Sequence, residues 1–310
     1  MTAHTAEPTP VEIVEVSPRD GLQNEAVVLD THHKIALVEQ LVAAGARRVE
    51  VTSFVRPDRV PQMADAEQVL SGITRVAGVS YAGLVLNVRG AQRAVGAGVD
   101  ELNYVVPATD VFGQRNQGVT VAQAVAGLEG VAEVAAGAGL PLTVTVAVAF
   151  GCPYQGEVST DAVADVVRDV LAVGGLHEIA LADTIGSGVP AEVTDRFRAV
   201  SALTDLPTRA HFHDTRKTGL ANALAAIGAG VRVLDSSAAG LGGCPFAPGA
   251  AGNVATEDLA WLLDRSGYAT GLDIGAVTSA GVTVCGHLGT APRSGLGSAG
   301  PFPMLTTTAP

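Results

Sequence analysis

Short β-branched runs alternate with helix-like runs along most of this chain, and this alternation restricts its fold more than any other feature. Eight strand-like runs occur, at residues 11–16, 47–53, 79–86, 101–106, 142–150, 178–182, 208–213 and 231–236. Helix-like runs lie between them, and two more follow at about 256–264 and 274–284. The pattern predicts a (β/α)8 TIM barrel rather than an open doubly wound sheet. The first strand is also not followed by the Gly-x-Gly-x-x-Gly motif typical of dinucleotide binding.

One large domain is the simplest organisation. The chain has 310 residues, of which 47% are hydrophobic and 16% charged, so it can bury a substantial core. We predict a flexible arm over residues 1–10, the barrel over residues 11–285 and a Gly/Pro-rich, disordered C-terminal tail over residues 286–310. No apolar run has the length of a transmembrane helix, and the first residues do not resemble a signal peptide, so we expect a cytoplasmic protein.

Charge and cysteine content disfavour several functions. The formal net charge of −12 argues against nucleic acid or an anionic membrane as a partner. The three cysteines, Cys152, Cys244 and Cys285, are odd in number and have no Cys-x-x-Cys spacing, which disfavours a disulfide framework and a zinc–thiolate site. A free or catalytic thiol remains open.

Polar residues cluster where the predicted strands end. They are Arg19 and Asp20 after the first strand, Glu50 on the second, Asp183 after the sixth, and His211 and His213 at the end of the seventh. Because catalytic side chains of (β/α)8 barrels converge at the carboxyl ends of the strands, these residues predict an active site there.

The pair His211-x-His213 suggests a metal site, because side chains two apart on a strand point to the same face. The competing interpretation is an ordinary hydrogen-bonded histidine pair. Asp20 is the natural third ligand, or else a turn-forming aspartate. Asn253 could supply an amide oxygen as fourth ligand, cap the following helix, or do both. These ligand types suit Mg²⁺, Mn²⁺, Co²⁺ and Zn²⁺ alike.

Three charged residues are candidates for catalytic work beside this metal. Arg19 could offer a permanent cation to a developing oxyanion, or form a salt bridge with Glu50 or Asp183. Glu50 lies between two valines, so on a barrel strand it would point inward and need a partner such as Arg19 or Asp20. Asp183 could support the metal ligands or cap the next helix.

Cys244 lies in a long loop of glycine, alanine and proline that follows the eighth strand. A thiol on such a mobile loop could exchange a proton with bound substrate and help to exclude water. The alternative is a small buried apolar side chain.

Several motifs together resemble the hydroxymethylglutaryl-CoA lyase family. They are Arg19-Asp-Gly-Leu-Gln-Asn-Glu25, Glu50-Val-Thr-Ser-Phe54, Pro61-Gln-Met63, Gly151-Cys-Pro-Tyr154, Asp183-Thr-Ile-Gly186, His211-x-His213-Asp-Thr215, Gly240-Leu-Gly-Gly-Cys-Pro-Phe246 and Gly252-Asn253. The resemblance runs in order from about residue 11 to residue 285. The first string and the cysteine-bearing loop are specific to this lyase among its metal-dependent barrel relatives.

The resemblance implies a (β/α)8 barrel lyase with a divalent cation, Mg²⁺ or Mn²⁺. The implied metal ligands are Asp20, His211, His213 and Asn253; the implied catalytic residues are Arg19, Cys244, Glu50 and Asp183; the implied substrate contacts are Arg19, Gln23 and His211. The implied reaction is retro-Claisen cleavage of 3-hydroxy-3-methylglutaryl-CoA to acetyl-CoA and acetoacetate, a step of leucine catabolism and ketone-body formation. An acyl-CoA substrate and a homodimer are implied as partners.

The sequence departs from the family pattern at three places. Arg216-Lys-Thr218 stands where the family has Tyr-Gly-Gln, Ala26 replaces a frequent lysine, and Thr290-Ala-Pro-Arg293 replaces a more basic segment. None of these changes touches the expected metal ligands, but they affect the expected contacts to the acyl chain and the CoA phosphates. A lyase for a related branched 3-hydroxyacyl-CoA is therefore the main alternative. A Claisen condensation synthase of the isopropylmalate or homocitrate type is less favoured because of the Cys244 loop. A non-catalytic, metal-stabilised barrel is the third alternative.

Overall fold

Eight parallel strands form a closed barrel in this computed structural model, which describes residues 8–243 and 252–300. The barrel strands are β2 (Glu12–Glu15), β3 (Arg48–Ser53), β4 (Ser80–Val85), β5 (Glu101–Pro107), β6 (Leu142–Ala147), β7 (Glu178–Asp183), β8 (Thr208–Phe212) and β9 (Val233–Ser236). Two short strands, β1 (Thr9–Pro10) and β10 (Tyr268–Ala269), pair with each other outside the barrel. Strands β2 to β9 pair in chain order, and β9 closes on β2 with Glu15 opposite Ser236. The predicted (β/α)8 barrel is confirmed.

Helices surround the barrel. They are α1 (Thr31–Ala43), α2 (Ala66–Gly72), α3 (Val88–Ala97), α4 (Asp110–Asn116), α5 (Val121–Ala138), α6 (Thr160–Val173), α7 (Pro190–Ser201), α8 (Gly219–Gly228), α9 (Thr256–Arg265), α10 (Ile274–Leu288) and α11 (Gly295–Ala299). Local sequence explains their ends: α5 begins at a capping box formed by Thr120 and Gln123 and ends at Gly139. Helix α4, which the sequence analysis missed, starts where the side chain of Thr109 accepts a hydrogen bond from Phe112 N–H.

The apolar core lies between the strands and the helices. Alternate strand residues such as Leu102, Val144 and Leu181 are fully buried on the helix-facing side of the barrel. Tyr104, also on that side, donates its hydroxyl to the carbonyl oxygen of Ala124 in α5 at 2.8 Å. This packing fixes the strands rigidly and leaves their other face to line the barrel interior.

Charged side chains fill the lower part of that interior. Arg48 donates to Glu101 at 2.7 Å and to Glu178 at 2.8 Å, and all three are buried. Arg209 lies with Nε 3.4 Å from both Glu178 and Asp235. We name Arg48, Glu101, Glu178 and Arg209 the floor network. It takes the place of the branched apolar residues that dominate most TIM-barrel interiors.

The predicted flexible arm needs correction at its end. Thr9 and Pro10 form strand β1, which pairs in parallel with Tyr268 and Ala269 of β10 outside the barrel. Residues 1–7 lie outside the described part of the chain.

The predicted disordered tail is wrong for residues 286–300. Helix α10 continues to Leu288, and Ser294 caps the short helix α11. The carboxylate of Asp258 accepts hydrogen bonds from two backbone N–H groups at the start of α11, which holds this segment on α9. The remainder of the predicted tail, residues 301–310, lies outside the described residues.

Over residues 8–243 and 252–300, no single helix is both long and apolar enough to cross a membrane. The pair α4 and α5, bent by 63° at their junction, reaches that length and composition only together. Helix α5 buries Leu128 and Val131 within the fold.

Candidate metal centre and active site

Arg19 and Asp20 lie on a single π-helical turn, Ser17–Gly21, directly after β2. The carbonyl oxygen of Val16 accepts hydrogen bonds from the N–H groups of Arg19, Asp20 and Gly21. Such wide turns are rare and frequently occur at functional sites. The sequence indicates only polar residues after the first strand here, and the turn places both charged side chains over the mouth of the barrel.

Arg19 is fixed from two sides. Its Nε and Nη2 atoms contact one carboxylate oxygen of Glu50, and Nη1 donates to Oδ1 of Asp20 at 2.6 Å. The other oxygen of Glu50 accepts from the amide of Asn103 at 2.7 Å, and Asn103 in turn accepts from Thr145 at 2.8 Å. Glu50 therefore points inward and pairs with Arg19, as its position between two valines predicted. The strand pairing shifts register just beyond Glu50, a bulge of the kind found beside active sites.

Asp20 faces both predicted histidine ligands. Its Oδ2 lies 3.9 Å from Nε2 of His211 and 3.7 Å from Nε2 of His213. The two rings are 5.2 Å apart between centroids, and both histidines are buried. The structure thus brings these three residues together, as the sequence predicted.

Asp235 orients His211 from behind, a role that sequence analysis missed. Its Oδ2 lies 3.1 Å from Nδ1 of His211, which stands opposite Asp235 in the pairing of β8 with β9. The same carboxylate faces Arg209 of the floor network. The sequence signal was present: Asp235 is a charged residue within a strand-like run, the same signal that singled out Glu50.

Neighbouring charges move the pKa values of these groups. Burial raises the pKa of Asp20, but Arg19 and the two histidines outweigh it and hold that pKa well below its usual value. Burial likewise lowers the pKa of His211, and the hydrogen bond to Asp235 together with the charge of Asp20 reverses this and raises it. The centre is therefore built around a permanently ionised carboxylate.

Asn253 reaches the centre from the far side of the Gly-rich loop. Its Nδ2 donates to Oδ2 of Asp20 at 2.8 Å and to the carbonyl oxygen of Leu241 at 3.0 Å. Metal ligation would need its Oδ1 instead. The role of Asn253 as fourth ligand stays a prediction. Its alternative role as helix cap is not what the structure shows, since α9 has Ala255 as its N-cap.

The two ends of the Gly-rich loop cross tightly at the barrel mouth. Gly242 accepts a hydrogen bond from Asn253 N–H, and a Cβ atom added to Gly252 would lie 1.2 Å from the Gly242 carbonyl oxygen. We name the crossing of Gly242 and Gly252 the loop neck. Cys244, predicted to act in catalysis, lies outside the described residues, as does the rest of 244–251.

Asp183 serves the loop after β7. It is fully buried, and its two carboxylate oxygens accept from the N–H groups of Ser187 and Gly188 at 2.9 Å each. Arg216 braces the same loop by donating to the carbonyl oxygens of Ile185 and Gly186. Asp183 thus shapes a loop at the mouth rather than capping α7, whose N-cap is Val189. Its predicted support of catalysis remains a prediction.

Comparison with known proteins agrees with this geometry. The family model described as HMGL-like matches residues 10–284. The chain belongs to the HMGL-like family.

Within that family, the chain is similar over nearly its whole length to proteins named hydroxymethylglutaryl-CoA lyase. It is 43% identical over 281 residues to the mitochondrial hydroxymethylglutaryl-CoA lyase of Rattus norvegicus, covering 90% of this chain and 86% of the relative. It is 42% identical over 292 residues to the hydroxymethylglutaryl-CoA lyase of Pseudomonas mevalonii, covering 93% and 96%. A solved structure of an HMG-CoA lyase from Acinetobacter baumannii, in complex with coenzyme A and 3-methylmalate, superposes with a TM-score of 0.91 at 40% identity and covers 100% of this chain and 99% of that one.

The HMGL-like family is metal-dependent, and the side chains at the barrel mouth of this member fit a divalent cation. The ligand atoms of Asp20, His211 and His213 all lie within 4.8 Å of one another. Ligands about 2.1 Å from a common ion are separated by about 3 to 4 Å, so small adjustments suffice. The contact from Asp235 to Nδ1 leaves Nε2 of His211 free to coordinate, as in most histidine metal sites.

Gln23, the remaining predicted substrate contact, is half-buried in the loop that follows the π-helical turn of this HMGL-like chain. It lies two residues before Glu25, whose carboxylate is 3.7 Å from the guanidinium of Arg293. The replaced C-terminal segment thus retains one cation near the mouth. Contact of Gln23 with substrate remains a prediction.

Proposed function

We propose that this protein cleaves 3-hydroxy-3-methylglutaryl-CoA to acetyl-CoA and acetoacetate. The observation that carries the proposal is the fixed guanidinium of Arg19, 2.6 Å from the carboxylate that heads the metal-ligand set. The high similarity to relatives named for this reaction supports it. So does the related structure that binds coenzyme A with a small branched acid.

The proposed reaction is a retro-Claisen cleavage. The tertiary hydroxyl loses its proton, the bond between C2 and C3 breaks, and the electron pair passes to the thioester as an enolate that takes up a proton at C2. A Mg²⁺ or Mn²⁺ ion held by Asp20, His211 and His213 would supply Lewis-acid chemistry that makes the hydroxyl more acidic.

Arg19 would stabilise the negative charge on the enolate oxygen. Because Glu50 and Asp20 hold it in place, it needs no reorganisation when that charge appears. Cys244 is proposed to exchange the proton at C2, and Gln23 and His211 to contact the acyl group. Asp183 and Glu50 would position the loop and the arginine around them.

The test is acetyl-CoA release with Mg²⁺ or Mn²⁺ by the wild type and by Arg19→Met, His211→Ala and Cys244→Ala. We expect Arg19→Met to lose at least about a hundredfold in kcat, typical of a lost oxyanion donor. Arg168→Met, on the exposed face of α6, is the matched control. A folded, metal-loaded wild type that releases no acetyl-CoA would overturn the substrate assignment.

A lyase for a related branched 3-hydroxyacyl-CoA is the second candidate. Arg216 and Lys217 replace residues of the family pattern in the loop after β8, and Arg216 donates hydrogen bonds to the neighbouring loop. Assays with a panel of branched 3-hydroxyacyl-CoA thioesters distinguish the two, because the preferred acyl group has the highest kcat/KM.

The assembly and setting of the enzyme are also proposals. We propose a homodimer in the cytoplasm that acts in leucine catabolism and ketone-body formation; the resemblance to the lyase family supports the dimer and the reaction products. Sedimentation velocity measures the assembly directly. A monomer at assay concentration that retains full turnover would contradict the dimer.

A further inference from the structure

Three histidines meet outside the barrel, on the seam between the first helix and the tenth. His32 and His33 lie in the first turn of α1, and His287 lies in the last turn of α10. The ring centroids of His32 and His33 are 3.9 Å apart, and those of His33 and His287 are 3.8 Å apart. The chain contains seven histidines in all, so this cluster holds nearly half of them.

Asp30 adds an oxygen donor to the three rings. It occupies the N-cap position of α1, where an aspartate side chain usually accepts a backbone hydrogen bond, yet its side chain makes no such bond here. The ligand atoms of Asp30, His32 and His33 all lie within 4.8 Å of one another. Within residues 8–243 and 252–300, the barrel-mouth centre is the only other group of acidic, histidine or cysteine side chains with such spacing.

A carboxylate lies beside the imidazole rings of this cluster. Neutral imidazole nitrogens and a carboxylate oxygen are common ligands of divalent transition ions. The carboxylate is that of Asp30, which offsets the positive dipole end at the start of α1, while His287 lies at the negative dipole end of α10.

We propose that Asp30, His32, His33 and His287 form a second metal site for a divalent transition ion of the Zn²⁺ class. Imidazole nitrogens favour zinc, copper and nickel, whereas Mg²⁺ and Ca²⁺ prefer oxygen ligands. Asp30, His32 and His33 supply one oxygen and two nitrogens within 4.8 Å of one another. The ring of His287 stacks on that of His33, and rotation of the His287 ring would bring in the fourth donor of a tetrahedral zinc site. The site stands apart from the proposed reaction and does not depend on it.

A metal at this site would join parts of the chain that are far apart in sequence. It would tie the start of α1 to the end of α10, which pack against each other. Gly281 of α10 packs directly on Ala239, in the turn before the loop neck. Occupancy would therefore stabilise the outer wall of the barrel mouth.

The experiment is a zinc titration of untagged protein by calorimetry, with thermal unfolding as a second readout. The background is His211→Ala with His213→Ala, which removes the barrel-mouth ligands. We expect one zinc per chain in that background and a rise in Tm with zinc. Adding His33→Ala and His287→Ala should remove both effects, whereas adding His177→Ala, an exposed histidine elsewhere, should change neither.

Zinc binding that persists unchanged without His33 and His287, or no binding in the background, would overturn the proposal. Should the background variant fail to fold, the wild type is compared with His33→Ala/His287→Ala alone. The stoichiometry should then fall from two zinc ions per chain to one, and an equal stoichiometry would refute the site.

Discussion

Asp235 decides which nitrogen His211 can offer to a metal. A hydrogen bond from Nδ1 to a carboxylate fixes the tautomer and the ring orientation, and leaves Nε2 directed at Asp20. Arg209 faces the same carboxylate from below, so it is held on two sides. The candidate metal centre thus includes Asp235, which contacts the predicted ligand His211 on the side away from Asp20.

We predict that Asp235→Asn weakens metal binding by about ten- to a hundredfold, the usual cost of losing such a partner. The amide can still accept one hydrogen bond but lacks the charge that makes the imidazole a stronger ligand. Titration of metal into metal-free protein measures the affinity. Asp165→Asn, on the exposed face of α6, is the control, and equal affinities for both variants would refute the role.

The buried carboxyl group of Glu15 makes the stability of the fold depend on pH. Burial raises its pKa from 4.5 to about 7, although Ser17, Thr256 and Ala238 donate hydrogen bonds to it. A pKa raised on folding means that the folded state binds the proton more tightly than the unfolded one. The contribution of protonated Glu15 to the free energy of unfolding is therefore full below about pH 4.5 and is lost as the pH rises to about 7.

We predict that the wild type loses about 3 kcal/mol of unfolding free energy across this range because of Glu15. Glu15→Gln cannot titrate, so its stability should change correspondingly less between pH 4.5 and pH 7. Urea denaturation of both proteins at several pH values isolates the difference. Parallel pH profiles would show that Glu15 does not titrate in this range.

At the scale of elements, the loop neck controls how the Gly-rich loop leaves the barrel mouth. Gly242 has a φ of 98°, which favours glycine, and Gly252 has no room for a side chain. Asn253 follows directly and contacts Asp20. A change at the neck must therefore move Asn253 and, through its contact with Asp20, the candidate metal centre.

We predict that Gly252→Ala lowers kcat by about a hundredfold, because a displacement of about 1 Å at a catalytic group costs that much. Its Cβ atom would collide with the Gly242 backbone, so the neck must open. Gly96→Ala is the matched control, since nothing lies within 4 Å of its added Cβ in α3. Turnover of Gly252→Ala equal to that of the control would rule out this role.

The loop after β8 shows what a departure from the family pattern does to an element. Lys217 has a φ of 62° at a position where the pattern has glycine, and its ammonium pairs with Asp214 at 3.0 Å. Lys217 thus adopts a left-handed backbone conformation that glycine suits better. Arg216 beside it donates hydrogen bonds to the carbonyl oxygens of Ile185 and Gly186, so this departure places a cationic side chain on the loop after β7.

At the scale of the whole molecule, the sequence predicted the architecture because strand and helix periodicities are local signals. It predicted the meeting of Asp20, His211 and His213 because parallel barrel strands bring their carboxyl ends together. It missed Asp235 and the floor network because pairing across the barrel depends on register, which local patterns do not reveal. The order of residues 286–300 also depends on distant contacts, such as that of Asp258 with α11.

The floor network makes barrel stability depend on charge pairing. We predict that Arg48→Met destabilises the protein by about 3 to 5 kcal/mol, because Glu101 and Glu178 are left buried without their main partner. Equilibrium unfolding in urea measures the loss, with Arg168→Met as the exposed control.

Adding Glu178→Gln to Arg48→Met should recover part of that loss, since it removes one of the unpaired charges. A single variant as stable as the wild type would mean that water or structural relaxation compensates the buried carboxylates.

The closure of β9 on β2 also determines when, during synthesis and folding, the candidate cation site can form. Asp20 is synthesised before His211 and His213, which lie about 190 residues further along the chain. A partly synthesised chain therefore has no complete cation site, however well its early β-α units have folded. A cation held by Asp20, His211 and His213 would therefore bind only after β9 has paired with β2, and its presence would mark a closed barrel.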